Sequence, residues 1–164
     1  IVTVHTMSKS DLKNWPQDRF IQLLPALASK HNLLIYLIGS KKEWEYNEKI
    51  RKADEKHIFN ICGDFKIREY GALLKQSDLF IGNDSGFAHY SSSLGTKSLV
   101  LFGLSDPQQC QPKGYGKTVT IFNNDPKNTV NFLRTGNIKA DLNSMKLISV
   151  EKVFSEAEKL LTNQ

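Results

Sequence analysis

The sequence is poor in the features that staple, anchor or metallate a chain. Cys62 and Cys110 are its two cysteines, and they lack metal-ligand spacing. Neither a disulfide framework nor a structural zinc site is therefore expected, and two reduced thiols are. Four histidines (His5, His31, His57 and His89) are scattered with no pair at metal-binding spacing, so neither a metal nor another cofactor is expected. No apolar run approaches the roughly 20 residues of a membrane span, and the first residues lack the pattern of a signal peptide. The expectation is a soluble, cytoplasmic protein. Gly82, Gly86 and Gly95 form no G-x-G-x-x-G fingerprint, no lysine follows a glycine loop, and no G-x-S-x-G elbow is present. These absences argue against a dinucleotide dehydrogenase, a P-loop NTPase and a serine hydrolase. There is no internal repeat and no low-complexity linker. No basic cluster is interleaved with aromatics, which argues against nucleic acid as a partner.

What is present is an ordinary globular composition, 40% hydrophobic and 24% charged over 164 residues, enough for one domain with a single core. The excess of 22 Lys and Arg over 17 Asp and Glu gives +5, which favours an anionic partner without choosing one. The chain opens on Ile1, directly in a strand pattern, as a piece of a longer protein would.

Short apolar runs alternate with helical patterns. Ile1–His5, Leu33–Ile38, Ile58–Cys62 and the runs on either side of Gly86 read as buried parallel strands, with Val119–Phe122 a short sixth. Phe20, Leu23, Leu24 and Leu27 mark one helix face, in which Pro25 predicts a kink or an early break. A surface helix is predicted over Lys41–Lys56, anchored by Trp44. Ile67–Gln76 is predicted helical with Ile67, Leu73 and Leu74 facing inward. Asn123–Asn143 has weak periodicity and reads as loop. Val150, Val153, Phe154, Ala157, Leu160 and Leu161 fit an amphipathic helix capped by Ser149. Alternating strands and helices predict an α/β fold, a Rossmann-like parallel sheet flanked by helices.

The most informative stretch is Leu79–Gly103, a strand, a polar turn Asn83-Asp84-Ser85-Gly86, a small-residue helix carrying His89, and a second strand. Asp84 or Ser85 is placed to cap that helix, Gly86 admits close backbone approach, and a helix N-terminus attracts anions such as phosphate. Lys13, in the loop after the first strand, reaches toward the same sheet edge, so the two can clamp one diphosphate. Glu43 suits ribose hydroxyls or else a helix N-terminal charge. Phe65 suits a stacked base or else the core.

The segment His5–Pro16 with K-x-W-P, the Gly39-x-x-x-Glu43 segment, the block Asn83-Asp-Ser-Gly-x-x-His89 and Leu101-Phe-Gly-x-x-x-Pro107 together resemble the carboxyl-terminal domain of glycosyltransferase family 9, the lipopolysaccharide heptosyltransferases. The resemblance implies one half of a GT-B glycosyltransferase, with residues 1–164 as its nucleotide-sugar donor-binding domain and the acceptor domain absent from this chain. It implies a donor such as ADP-heptose, no divalent metal, a lipopolysaccharide-type acceptor, and at most peripheral contact with the inner membrane face. By the same resemblance Lys13 contacts the donor phosphates and Ser8 the phosphates or sugar. Asp84, Ser85, Gly86 and His89 hold the diphosphate and neighbouring sugar, and Glu43 and Phe65 bind ribose and base. No catalytic residue is expected in this chain, since the base belongs to the other domain. A nucleotide-binding module, or a sugar-nucleotide hydrolase or epimerase of similar architecture, are the alternatives.

Overall fold

The apolar runs do become strands of one sheet. In the computed structural model, which describes residues 1–122 and 143–162, six parallel strands are arranged in the order β3-β2-β1-β4-β5-β6. They are β1 (Val2–His5), β2 (Ile35–Leu37), β3 (Ile58–Asn60), β4 (Leu79–Asn83), β5 (Ser98–Phe102) and β6 (Thr118–Phe122). The chain builds outward from β1 through β2 to β3, then returns to place β4 on the other side of β1, where His5 pairs with Gly82. At such a reversal the connections leave the strand ends in opposite directions, so a crevice opens between the carboxyl ends of β1 and β4.

Both sheet faces are covered by helices. Val2 and Val4 join Ile35, Leu37, Ile81 and Leu99 in a core with α1 (Gln17–His31), α2 (Trp44–Arg51) and the last described helix, α5 (Val150–Thr162). Phe80, Val100 and Phe102 pack on the opposite face against α3 (Ile67–Gln76) and α4 (Gly86–Ser93). Because side chains alternate along a strand, Thr3 and His5 point toward the second layer while Val2 and Val4 point toward the first. The Phe87 ring of α4 accordingly lies 4.7 Å from that of His5. Ser149 caps α5 as expected, accepting from the Lys152 N–H at 3.3 Å.

Several expectations are corrected. The break at Pro25 does not occur, since α1 runs unbroken from Gln17 to His31. Ile21, whose carbonyl loses its partner to the proline, is only half-buried, so water can replace the missing donor. The helix predicted over Lys41–Lys56 shortens to a 3-10 turn over Lys41–Glu43 followed by α2. Trp44 does not anchor it: its side chain is exposed, and Asn47 and Ile50 are the residues buried there. Likewise Ile67 is exposed, and α3 buries Tyr70, Gly71 and Leu74. The strand predicted over Leu33–Ile38 narrows to Ile35–Leu37, with Leu34 exposed. The loop predicted over Asn123–Asn143 lies outside the described residues except for Asn143.

Candidate functional site

The crevice between β1 and β4 is a cleft of about 540 Å³. Its walls are the loop after β1, the turn after β2 and the N-terminus of α4. Ser8, Lys13, Glu43, Asp84, Ser85 and Gly86 all line it. Phe65 and His89 do not. Phe65 is exposed, stands edge-on to Tyr70 and borders a neighbouring groove with Tyr36 and Leu73. His89 is exposed one turn into α4, and its N–H donates to the Ser85 carbonyl at 3.4 Å.

The loop after β1 is held over the cleft by a buried amide. Asn83 Nδ2 donates to the Thr6 carbonyl at 2.7 Å, and Asn83 Oδ1 accepts the Trp15 N–H at 3.1 Å. Both ends of the loop are thereby fixed to the end of β4. Within it, the Ser8 hydroxyl donates to the Ser10 carbonyl at 2.9 Å and the Ser8 N–H to Asn14 Oδ1 at 2.6 Å. The loop places Lys13 Nζ 2.6 Å from Asp84 Oδ2.

The expected cap on α4 is absent. Ser85 is the N-cap residue, yet its side chain accepts nothing from the first turn. Asp84 instead faces Lys13, and the Ser85 hydroxyl lies 3.0 Å from His5 Nδ1. Ala88 and His89 donate to the Ser85 carbonyl, whereas Gly86 and Phe87 begin the helix and have no acceptor upstream within it. Two amides at the positive end of α4 therefore open on the cleft beside the Lys13 ammonium, a natural cradle for phosphate oxygens.

Of the two roles expected for Glu43, the structure shows the charge at a helix N-terminus, on a side chain that also lines the cleft. Its Oε2 accepts the Ser40 N–H at 2.8 Å in a capping box, and the same atom lies 3.6 Å from His5 Nε2. Burial alone would raise its pKa, but the His5 side chain and the Ser40 contacts outweigh that and hold the carboxyl below its ordinary range. The turn closes tightly because residue 39 is glycine: a Cβ there would run into the Glu43 carboxylate. The Tyr70 hydroxyl braces this corner: it accepts the Gly63 N–H at 3.0 Å, and its one proton faces the Ile61 carbonyl at 2.5 Å with the Gly39 carbonyl at 3.1 Å.

The sequence reading missed Asn83 and His5 as site residues. Both sit at the carboxyl end of a central strand, which is the signal that could have found them. The thiols are not joined in a disulfide. Burial, with Glu43 next in weight, pushes Cys62 up to about 12. Among the described residues no group of three or more His, Cys, Asp or Glu is placed to hold a metal ion. No helix among them is long and apolar enough to cross a membrane.

Residues 1–140 match the family model described as glycosyltransferase family 9 (heptosyltransferase). The lipooligosaccharide heptosyltransferase 2 of Campylobacter jejuni is 27% identical over 153 residues, covering 92% of this chain and 47% of that protein. A structure of Escherichia coli ADP-heptose lipopolysaccharide heptosyltransferase II superposes with a TM-score of 0.80 at 20% identity, over 98% of this chain and 46% of the other. The Escherichia coli heptosyltransferase WaaC with ADP superposes at 0.75 and 16% identity, over 97% and 42%. The chain thus spans less than half the length of these relatives, and its fold is that of one half of a GT-B glycosyltransferase.

Proposed function

This chain belongs to glycosyltransferase family 9, and we propose that it is the half of the enzyme that binds the sugar-nucleotide donor. The observation that carries this reading is the convergence of the Lys13 ammonium, the open amides of Gly86 and Phe87, and Glu43 on one cleft at the sheet's switch point. A cation beside a helix N-terminus suits a diphosphate, and a carboxylate held ionised suits ribose hydroxyls. The relatives solved with ADP and with an ADP-heptose analogue make ADP-heptose the donor proposed here. Phe65 is the proposed contact for the base. Its ring lies outside the cleft, but Ile67, two residues on, is in its wall. Asp84, with one oxygen on Lys13, and His89, on the exposed face of α4, are proposed to meet the sugar. Ser8 is proposed to face the phosphates or sugar.

In transfer, the bond from the anomeric carbon to the β-phosphate oxygen breaks and negative charge grows on the departing diphosphate. Lys13 and the α4 amides stand where that charge develops and stabilise it without rearranging. In this reading they take the part that a divalent cation plays in other transferases, so donor binding needs no metal. The acceptor, a lipopolysaccharide core in this proposal, and the catalytic base come from a second domain. The short span of this chain against its relatives supports that division. The reaction would take place at the cytoplasmic side of the inner membrane.

Titration calorimetry with ADP and ADP-heptose tests the reading. Saturable binding unaffected by a chelator is expected, with no transfer by this chain alone. Absence of ADP binding would overturn it, and release of free heptose from the donor without an acceptor would favour a hydrolase.

A further inference from the structure

Serine at an N-cap ordinarily turns its oxygen onto the amide of the second or third helical residue. In α4 the third, Ala88, already donates to the Ser85 carbonyl at 3.1 Å, which leaves the Phe87 N–H as the natural partner of the Ser85 hydroxyl. The hydroxyl is drawn away from it. His5 Nδ1 lies 3.0 Å from Ser85 Oγ, and the ring cannot easily turn aside. It is 4.7 Å from the Phe87 ring on one side, and on another its Nε2 is 3.6 Å from Glu43 Oε2. The His5 side chain is only 8% exposed, so water competes poorly for either nitrogen. Glu43 is itself fixed by the Ser40 N–H. A carboxylate facing Nε2 selects the tautomer with hydrogen on that nitrogen, which leaves Nδ1 as an acceptor. Ser85 is then the donor. The contacts run from the turn after β2, across the end of β1, to the first residue before α4.

We propose that His5 is a positioning residue: oriented by Glu43, it holds the Ser85 hydroxyl off α4 and so keeps the Phe87 amide open to a phosphate oxygen. Nothing in the sequence pattern marks this, because the serine that looks like a cap is prevented from being one. The consequence for binding rests on the donor reading above, whereas the arrangement of His5 and Ser85 does not.

Two measurements separate these layers. In the protein without ligand, imidazole nitrogen NMR should find His5 with Nδ1 unprotonated and hydrogen-bonded, and Ser85→Ala should shift the Nδ1 resonance toward that of an unbonded nitrogen. An unchanged resonance overturns the proposal whatever the protein binds. The second is a double-variant cycle read by ADP calorimetry. His5→Phe keeps a ring against Phe87 but offers Ser85 no acceptor, so the hydroxyl falls back onto the helix and ADP binding weakens about fivefold, the weight of one competing cap bond. Adding Ser85→Ala removes the competitor, and the double variant should bind within about twofold of Ser85→Ala alone. Independent, multiplying losses would mean that His5 acts only through packing, and would overturn the proposal. Failure of the unsubstituted protein to bind ADP would strike the donor reading, while the NMR result still decides the contact.

Discussion

Lys13 and Asp84 are 71 residues apart in the chain, yet Nζ and Oδ2 meet at 2.6 Å across the mouth of the cleft. Their side chains are 24% and 9% exposed, so the pair is largely withdrawn from water. An exposed pair of this kind contributes little, but a partly buried one fixes direction. Asp84 sets where the ammonium stands before any anion arrives.

Lys13→Ala is therefore expected to weaken ADP binding about 10- to 100-fold, the worth of one charge-assisted hydrogen bond to a phosphate. Asp84→Ala should weaken it less, by acting through Lys13. With ADP the double variant should bind no worse than Lys13→Ala. With ADP-heptose it should bind worse, because the sugar contact proposed for Asp84 is lost as well. Calorimetry with the two ligands checks both statements.

The lowered pKa of Glu43 makes a prediction for acid stability. A carboxyl whose folded value lies below its unfolded one adds stability above the ordinary value of 4.5, and that stability is lost as pH falls through the folded value. Urea unfolding of the protein and of Glu43→Gln should differ at neutral pH, and the gap should close below pH 4.5. A gap that persists unchanged in acid would show that Glu43 stabilises by shape alone.

Asn83 is fully buried and serves two backbone groups at once. Asn83→Ala leaves the Thr6 carbonyl and the Trp15 N–H without partners, at a cost of about 2–4 kcal/mol in chemical denaturation. Asn83→Asp should be similarly damaging, since a carboxylate cannot donate to Thr6. In both variants the loop bearing Lys13 loosens, so ADP affinity should fall together with stability.

Gly39→Ala puts a methyl group where the Glu43 carboxylate now sits. The side chain must move off the Ser40 N–H and away from His5. The variant is expected to lose the acid-dependent part of its stability, as Glu43→Gln does, while keeping the fold. A pH–stability profile matching the parent's would show that the turn has absorbed the methyl by another route.

Much of this was legible in the chain because it is local. Leu79–Gly103 gave its strand, turn, helix and strand from apolar runs broken by small polar residues, and β4, α4 and β5 fall within it. Lys13 on the same edge followed from parallel topology, which puts the carboxyl ends of all the strands on one edge, while the structure made β1 and β4 neighbours. The errors have one character. Trp44 and Ile67 read as buried because they are apolar, but which way a short helix turns is decided by what packs over it, and there Ile50 and Tyr70 occupy the inside. Pro25 read as a break because its local cost is real, and the packing of Leu23, Leu24, Leu27 and Ala28 overrides it.

The sequence by itself determined the fold class and put Lys13 and the Asp84–Gly86 turn on one sheet edge, since periodicity and turn chemistry depend on near neighbours, whereas the strand order that makes β1 and β4 adjacent came from the tertiary structure. Only the tertiary structure decided what those residues do to one another. Asp84 and Ser85 are both good caps in isolation, and both are drawn off the helix by Lys13 and His5, which come from the loop after β1 and from β1 itself. A side chain's choice between a local amide and a distant partner is settled by distance and burial, and neither is written in the spacing of the chain.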